Sequence, residues 1–136
     1  MSVIVTDAGF GPDDWTGGFT ALGEAANDVL AVDLASDADP ADLGDRLHAL
    51  QMIRVDFPSF ADGRGFTIAR RLRLMGFAGR LRAKGHVIAD QYAMARRAGF
   101  DEVEISDDLA ARQPQEQWIF RANWTAHDYQ ARVRAG

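Results

Sequence analysis

The chain has no cysteine and only one lysine, Lys84, among its 136 residues. Without cysteine it cannot form disulfides, thiolate zinc sites or cysteine-ligated iron–sulfur clusters, and it has no thiol nucleophile. Because Lys84 is the only lysine, it is the only residue that could form a lysine Schiff base. The other basic residues are arginines, whose planar guanidinium groups suit bidentate recognition of oxyanions.

Cofactor and metal motifs are missing as well. The sequence contains neither a Walker motif nor a complete Gly-x-Gly-x-x-Gly fingerprint. The three histidines lie far apart and show no ligand spacing, so no metal site is predicted. No cofactor is evident. A flavin or sirohaem held non-covalently by arginines and backbone amides needs no fixed motif, and that alternative stays open.

Length and charge indicate one globular domain. Hydrophobic residues make up 47% of the chain, yet no apolar run approaches the length of a membrane span, and the start lacks a signal-peptide pattern. We therefore expect a cytoplasmic protein with no membrane segment. The pI of about 5.0 argues against nucleic-acid binding. Residues 54–97 nevertheless hold ten Lys/Arg against three Asp/Glu, which leaves room for a local anion site.

From residue 28 onward, apolar strand-like runs alternate with helical stripes. Strands are expected at 29–32, 52–57, 80–84 and 103–105, and the stretch Asp39-Pro40 predicts a helix start between the first two. The pattern predicts an α/β domain of β-α-β-α-β-α-β units with a mainly parallel sheet, either half-barrel-like or doubly wound.

The two ends flank this core within a single predicted domain, 1–136. Residues 1–27 are expected to form a strand with turns or a hairpin, and residues 28–113 form the βα core. Residues 114–136 are rich in aromatic side chains and are expected to cover the sheet or a neighbouring subunit. Whether this tail is a strand or a helix stays open, and a homodimer is compatible with it.

A glycine-flanked arginine gives the first site prediction. Gly63 and Gly65 flank Arg64 between a strand and a helix, where backbone amides can approach an anion. Asp62 beside them is either part of this site or simply a turn residue. The predicted anion site consists of Asp62, Gly63, Arg64, Gly65, Arg82 and Lys84.

Polar residues alternate along three predicted strands and give the second prediction. Ligands of parallel sheets bind at the carboxyl ends of the strands. Lys84 or His86 is a candidate base there, and Asp56 or Glu104 a candidate acid. Alternatively, Arg82 and Lys84 only pair with glutamates of the neighbouring strand. A further pair, Asp90 and Gln91, either supports the site or stabilises a helix start.

The sequence resembles a proteobacterial family of domains of unknown function. The resemblance covers about residues 28–130 and is carried by the segments 55–66, 69–73, 79–85, 90–91, 98–101 and 129–130. The family is commonly labelled a probable oxidoreductase involved in sulfite reduction, with genes beside those of assimilatory sulfite reductase. Members of the family often have a cysteine at the position of Ala98. Because this chain has alanine there, a functional role for that cysteine cannot be common to the whole family.

The resemblance implies a role in sulfur assimilation, with sulfite reductase or its electron donor as partner. Our first hypothesis is an accessory protein that binds a small oxyanion such as sulfite or sulfate. The alternative is a small oxidoreductase or other enzyme acting on an oxyanion. A third is an interaction module whose arginine-rich helix around 70–73 meets an acidic partner. Whether the chain is an enzyme stays open.

Overall fold

The computed structural model describes residues 2–24 and 29–124. Seven strands in this part of the chain form one sheet with the order β2-β1-β7-β6-β5-β4-β3. Strands β3 to β7 run parallel, whereas β1 is antiparallel to both β2 and β7. The strands are β1 (Ser2–Thr6), β2 (Gly9–Gly11), β3 (Thr20–Ala21), β4 (Ala31–Leu34), β5 (Met52–Phe57), β6 (Arg80–Gly85) and β7 (Glu102–Ser106).

Helical segments connect successive parallel strands. The α-helices are α1 (Arg64–Leu74), α2 (Tyr92–Ala98), α3 (Asp107–Arg112) and α4 (Gln115–Phe120), and 3-10 segments span Leu22–Glu24, Pro40–Ala49 and Ala89–Gln91. Because β4, β5, β6 and β7 are neighbours in sequence order, right-handed crossovers place the three connecting segments on one face of the sheet.

This helix-covered face holds the apolar core. Alternate strand residues such as Ile53, Val55, Leu81 and Val103 are fully buried there against the helices. Beyond β7, Trp118 of α4 is buried and packs edge-to-face on Tyr92 of α2. Because strand side chains alternate between faces, the residues between these apolar positions lie on the opposite face.

That opposite face is lined with charged side chains, and we call it the polar face. It is covered by residues 12–19, the strap, rather than by a helix. The strap reaches the sheet through Asp13, Asp14 and Phe19. The polar face consists of Asp33, Arg54, Asp56, Arg80, Arg82, Lys84, Glu102 and Glu104.

The α/β fold with a mainly parallel sheet is confirmed. The outermost strands, β2 and β3, do not pair with each other, so the sheet is open rather than closed. The N-terminal hairpin also forms, and its strand β1 extends the main sheet. No helix in the described ranges is long and apolar enough to cross a membrane.

Three local predictions need correction or completion. The strand expected at 29–32 instead spans Ala31–Leu34, which brings Asp33 into the sheet. The helix after Asp39 begins as expected, with the Asp39 carboxylate accepting the N–H of Ala41, but it is a 3-10 segment interrupted at Gly44 (φ 53°). The tail forms helix α4. Residues 125–136, which include the 129–130 segment of the family resemblance, lie outside the described residues.

Candidate functional site

Strand register places seven of the eight charged residues of the polar face in two rows, with Arg80 outside them. The first row runs Asp33, Arg54, Arg82 and Glu102 across β4, β5, β6 and β7. The second row lies nearer the carboxyl ends of the strands and runs Asp56, Lys84 and Glu104. Each basic residue therefore has a carboxylate on a neighbouring strand within reach.

Arg82 is the centre of the first row. Its Nε lies 2.6 Å from Oε2 of Glu102 and its Nη1 lies 2.9 Å from Oε1 of Glu104. The arginine side chain is 0% exposed, and both glutamates are buried. Burial alone lowers the pKa of Arg82, but its bonds to the carboxylates of Asp13 and Glu102 outweigh this effect and raise it. Arg82 is a structural ion-pair centre inside the protein.

The neighbouring arginines complete the ion-pair network. Arg54 binds Asp33 through two hydrogen bonds of 2.6 and 2.8 Å and donates to Glu104 at 3.1 Å. Arg80 donates to Glu102 at 2.8 Å. Throughout the described residues, every buried side-chain nitrogen and oxygen has a hydrogen-bond partner. The three arginines of the polar face are thus neutralised by its own acids.

The strap contacts the ion-pair network on the side away from the core. The Asp13 carboxylate accepts from both terminal nitrogens of Arg82, at 3.0 and 3.1 Å, and Asp14 accepts from Arg80 at 2.7 Å. The ring of Phe19 lies 3.8 Å from the Arg54 guanidinium carbon, a cation–π contact. Burial raises the pKa of Asp13, but the hydrogen bonds from Arg82 and the strap backbone bring it below the usual value.

A pocket of about 270 Å³ opens at the carboxyl ends of β4, β5 and β6, beside the strap. It is the site at which a ligand of a parallel sheet is expected. All four of its charged residues belong to the two rows just described. The lining residues are Ala21, Asp33, Leu34, Ala35, Arg54, Asp56 and Lys84.

Among the described residues, two charged side chains of this pocket have no hydrogen-bond or ion-pair partner. They belong to Lys84 and Asp56, which lie directly across from each other on β6 and β5. The expected pairing of Lys84 with Glu104 does not form, because Arg54 and Arg82 already occupy that carboxylate. The expected pairing of Arg82 with Glu102 and Glu104 does form.

The glycine-flanked arginine lies on a different part of the same edge. Arg64 is 60% exposed and binds Asp62 through Nε at 3.0 Å and NH2 at 2.7 Å. Asp62 also accepts the backbone N–H of Arg64, and Ser36 accepts from the guanidinium. The bonds from the Arg64 side chain and then from its backbone lower the pKa of Asp62 to about 2. The anion at this helix start is the chain's own carboxylate.

The two flanking glycines differ in the space that surrounds them. A Cβ at Gly65 would lie 2.6 Å from Cε1 of Phe57, so this position has no room for a side chain. A Cβ at Gly63 would meet only Phe66, at 3.9 Å. Packing of helix α1 on the aromatic core, rather than approach to a ligand, explains Gly65.

The remaining predicted site residues are engaged elsewhere. His86 lies with Nδ1 3.1 Å from the carbonyl of Phe57 and its ring edge-to-face with Phe60. Gln91 accepts the N–H of Ile88 and donates to the Phe60 carbonyl, which fixes the loop before α2. Asp90 pairs with Arg121 of the C-terminal segment, at 2.9 Å.

Sequence reasoning missed the residues that complete this face. Asp33 lies one residue beyond the strand expected at 29–32, although its alternation with Val32 and Leu34 is a strand signal. Arg54 lies within the strand expected at 52–57, but the sequence assigns it no role. The strap has no hydrophobic periodicity, and the adjacent acids Asp13 and Asp14 are its one visible signal.

Residues 31–136 match the model of a family described as bacterial protein of unknown function, DUF934. The chain belongs to this family. Comparison with curated proteins gave no match, and comparison with solved structures gave none. The matched region contains all eight polar-face residues, whereas the strap precedes it.

Proposed function

We propose that this DUF934 protein is an accessory protein of assimilatory sulfite reduction that binds a small oxyanion at Lys84. In this proposal it works in the cytoplasm with sulfite reductase or with the reductase's electron donor. The pathway is inferred from the motifs around 55–66 and 79–85, which resemble the family associated with that reductase. One structural observation supports the binding site: Lys84 lines a pocket at the carboxyl edge of the sheet, and no carboxylate among the described residues forms an ion pair with it.

The other basic groups near the site are less available to a ligand. Arg54 and Arg82 are held by carboxylates of the sheet, and Arg64 is held by Asp62. An anion would have to displace one of these carboxylates before binding to an arginine. Lys84 requires no such exchange. An ammonium group with a solvent-facing pocket in front of it offers up to three hydrogen bonds to oxyanion oxygens.

The geometry supports binding more than catalysis. Two of the four candidate catalytic residues have other contacts: Glu104 accepts from two arginines, and His86 lies against a backbone carbonyl. The alternative, an enzyme acting on an oxyanion, is favoured by the unpaired Asp56 and Lys84, which could serve as acid and base. Sulfite consumption by the purified protein with a reduced electron donor would favour the enzyme, as would visible absorbance from a flavin or sirohaem.

Titration calorimetry with sulfite tests the binding site. Lys84→Gln should weaken sulfite binding at least tenfold, since a hydrogen bond to a charged group contributes about 1.5–3 kcal/mol. Arg70→Gln is the matched control, because Arg70 is an exposed cation on α1, in the layer behind the sheet. Equal weakening in both variants would indicate only a general charge effect and would contradict the proposed site.

Growth of a deletion strain tests the pathway. If the protein supports sulfite reduction, the strain should grow poorly on sulfate or sulfite and normally on sulfide or cysteine. Complementation by the wild-type gene but not by Lys84→Gln would link the phenotype to the pocket. Normal growth on sulfite would contradict the proposed role.

A further inference from the structure

A carboxylate stands beside the proposed anion site. Asp56 occupies the position on β5 directly across from Lys84 on β6, and both residues line the same pocket. Since neither has a partner among the described residues, a ligand held by Lys84 would also meet the Asp56 oxygens. Deprotonated oxygens on a ligand would be repelled at that point.

The other charged groups of the pocket do not offset this repulsion. Arg54 and Asp33 form a doubly hydrogen-bonded pair at 2.6 and 2.8 Å, so together they contribute little net charge. Glu104, behind the pocket, is bound by Arg54 and Arg82 and likewise adds little net charge. The Lys84 ammonium is therefore balanced by the single carboxylate of Asp56, an arrangement that disfavours dianions.

A hydroxyl group on the ligand would turn the repulsion into a bond. A carboxylate accepts a short, strong hydrogen bond from O–H, whereas it has no proton of its own to offer when ionised. An oxyanion with one hydroxyl could donate to Asp56 while its charged oxygens accept from Lys84. Both unpartnered groups would then be satisfied by one ligand.

We propose that this pocket selects oxyanions that retain a hydroxyl group near neutral pH and rejects sulfate, which has none. This inference rests on the proposed function, because it concerns the same site. Hydrogen sulfite, in the tautomer that carries its proton on oxygen, and dihydrogen phosphate share the required chemistry, since each is a monoanion with a hydroxyl group. Asp56 is the residue that determines specificity, and Lys84 provides the attraction common to all anions.

Calorimetric titrations at pH 6.5 with sulfite (freshly prepared and oxygen-free), phosphate and sulfate test this selection. The wild-type protein should bind sulfite or phosphate at least tenfold more tightly than sulfate, and the tighter of the two identifies the ligand. Asp56→Asn replaces a carboxylate, which can only accept, by an amide that can donate to sulfate. The ratio of the sulfate Kd to the Kd of the tighter of the other two anions should therefore fall to about one. Asp45→Asn, the same change at an exposed position in the 3-10 segment after β4, should retain the wild-type ratio.

The outcomes distinguish failure of the proposed selectivity from failure of the proposed oxyanion site. If sulfate bound to the wild type as tightly as sulfite and phosphate, the selectivity would be overturned, whereas the oxyanion site would still be supported. An unchanged ratio in folded Asp56→Asn, with the wild-type circular dichroism and thermal midpoint, would overturn the role of Asp56. No binding of any of the three anions would overturn the proposed function itself.

Discussion

At the scale of single residues, the arginines of this protein differ sharply in what surrounds them. Arg82 is 0% exposed and binds three carboxylates, whereas Arg64 is 60% exposed and binds one carboxylate close to it in sequence. Buried charges that lose a partner are destabilising, while exposed pairs contribute little. The sequence presents both residues only as arginines of the predicted anion site, so this difference is visible only once strand register is known.

Arg82→Met should therefore lower the free energy of unfolding by about 3 kcal/mol, since Glu102 and Glu104 each lose a buried partner. Arg64→Met is the matched control and should leave the unfolding midpoint close to that of the wild type. Urea unfolding followed by circular dichroism measures both. Similar midpoints for the two variants would contradict the assignment of Arg82 as a structural ion-pair centre.

At the scale of elements, the strap is attached to the sheet by charge rather than by apolar packing alone. The pKa of Asp13 is lower when folded than its ordinary value of 3.8, because its bonds with Arg82 and the strap backbone exceed the effect of burial. A carboxyl group with a lowered folded pKa stabilises the protein above its unfolded pKa. This stabilisation is lost as pH falls through the folded pKa.

The Asp13 contribution should therefore disappear in acid. At pH 6, Asp13→Asn should have a lower thermal midpoint than the wild type. As pH falls below about 3.8, the wild-type midpoint should decrease more steeply than that of the variant, so that the two converge. Differential scanning calorimetry from pH 6 to pH 2.5 measures this convergence. A constant difference across that range would show that the strap is not held by ionised Asp13.

The start of helix α1 provides a second test at this scale. Gly65→Ala places a methyl group against Phe57 in the aromatic core and should destabilise the protein by about 1–3 kcal/mol. Gly63→Ala, two residues earlier, meets nothing closer than 3.9 Å and should be nearly neutral. Chemical unfolding of the two variants checks the prediction. If Gly63→Ala were the more destabilising change, packing on Phe57 would not explain the glycine pair.

At the scale of the whole molecule, the α/β class and the mainly parallel sheet were predictable, whereas the strand order and the final contacts were not. Alternating strands and helices indicate parallel βα units, but right-handed crossovers are compatible with several strand orders, so only the structure shows that β4, β5, β6 and β7 are successive neighbours. Contacts on the polar face depend on which long side chain reaches which acid. Glu104 lies directly across from Lys84 but is bound by Arg54 and Arg82. That competition leaves Lys84 without an ion pair in the part of the chain that the structure describes, and no sequence pattern indicates this outcome.

The proposed oxyanion would bind in the pocket in front of Lys84. Backbone amide chemical shifts during a sulfite titration of isotope-labelled protein would locate it. We predict saturable shifts grouped around residues 33–35, 54–56 and 84–86, which surround the pocket, and their loss in Lys84→Gln. Shifts centred on residues 62–65 instead, or no saturable shifts at millimolar sulfite, would contradict the account.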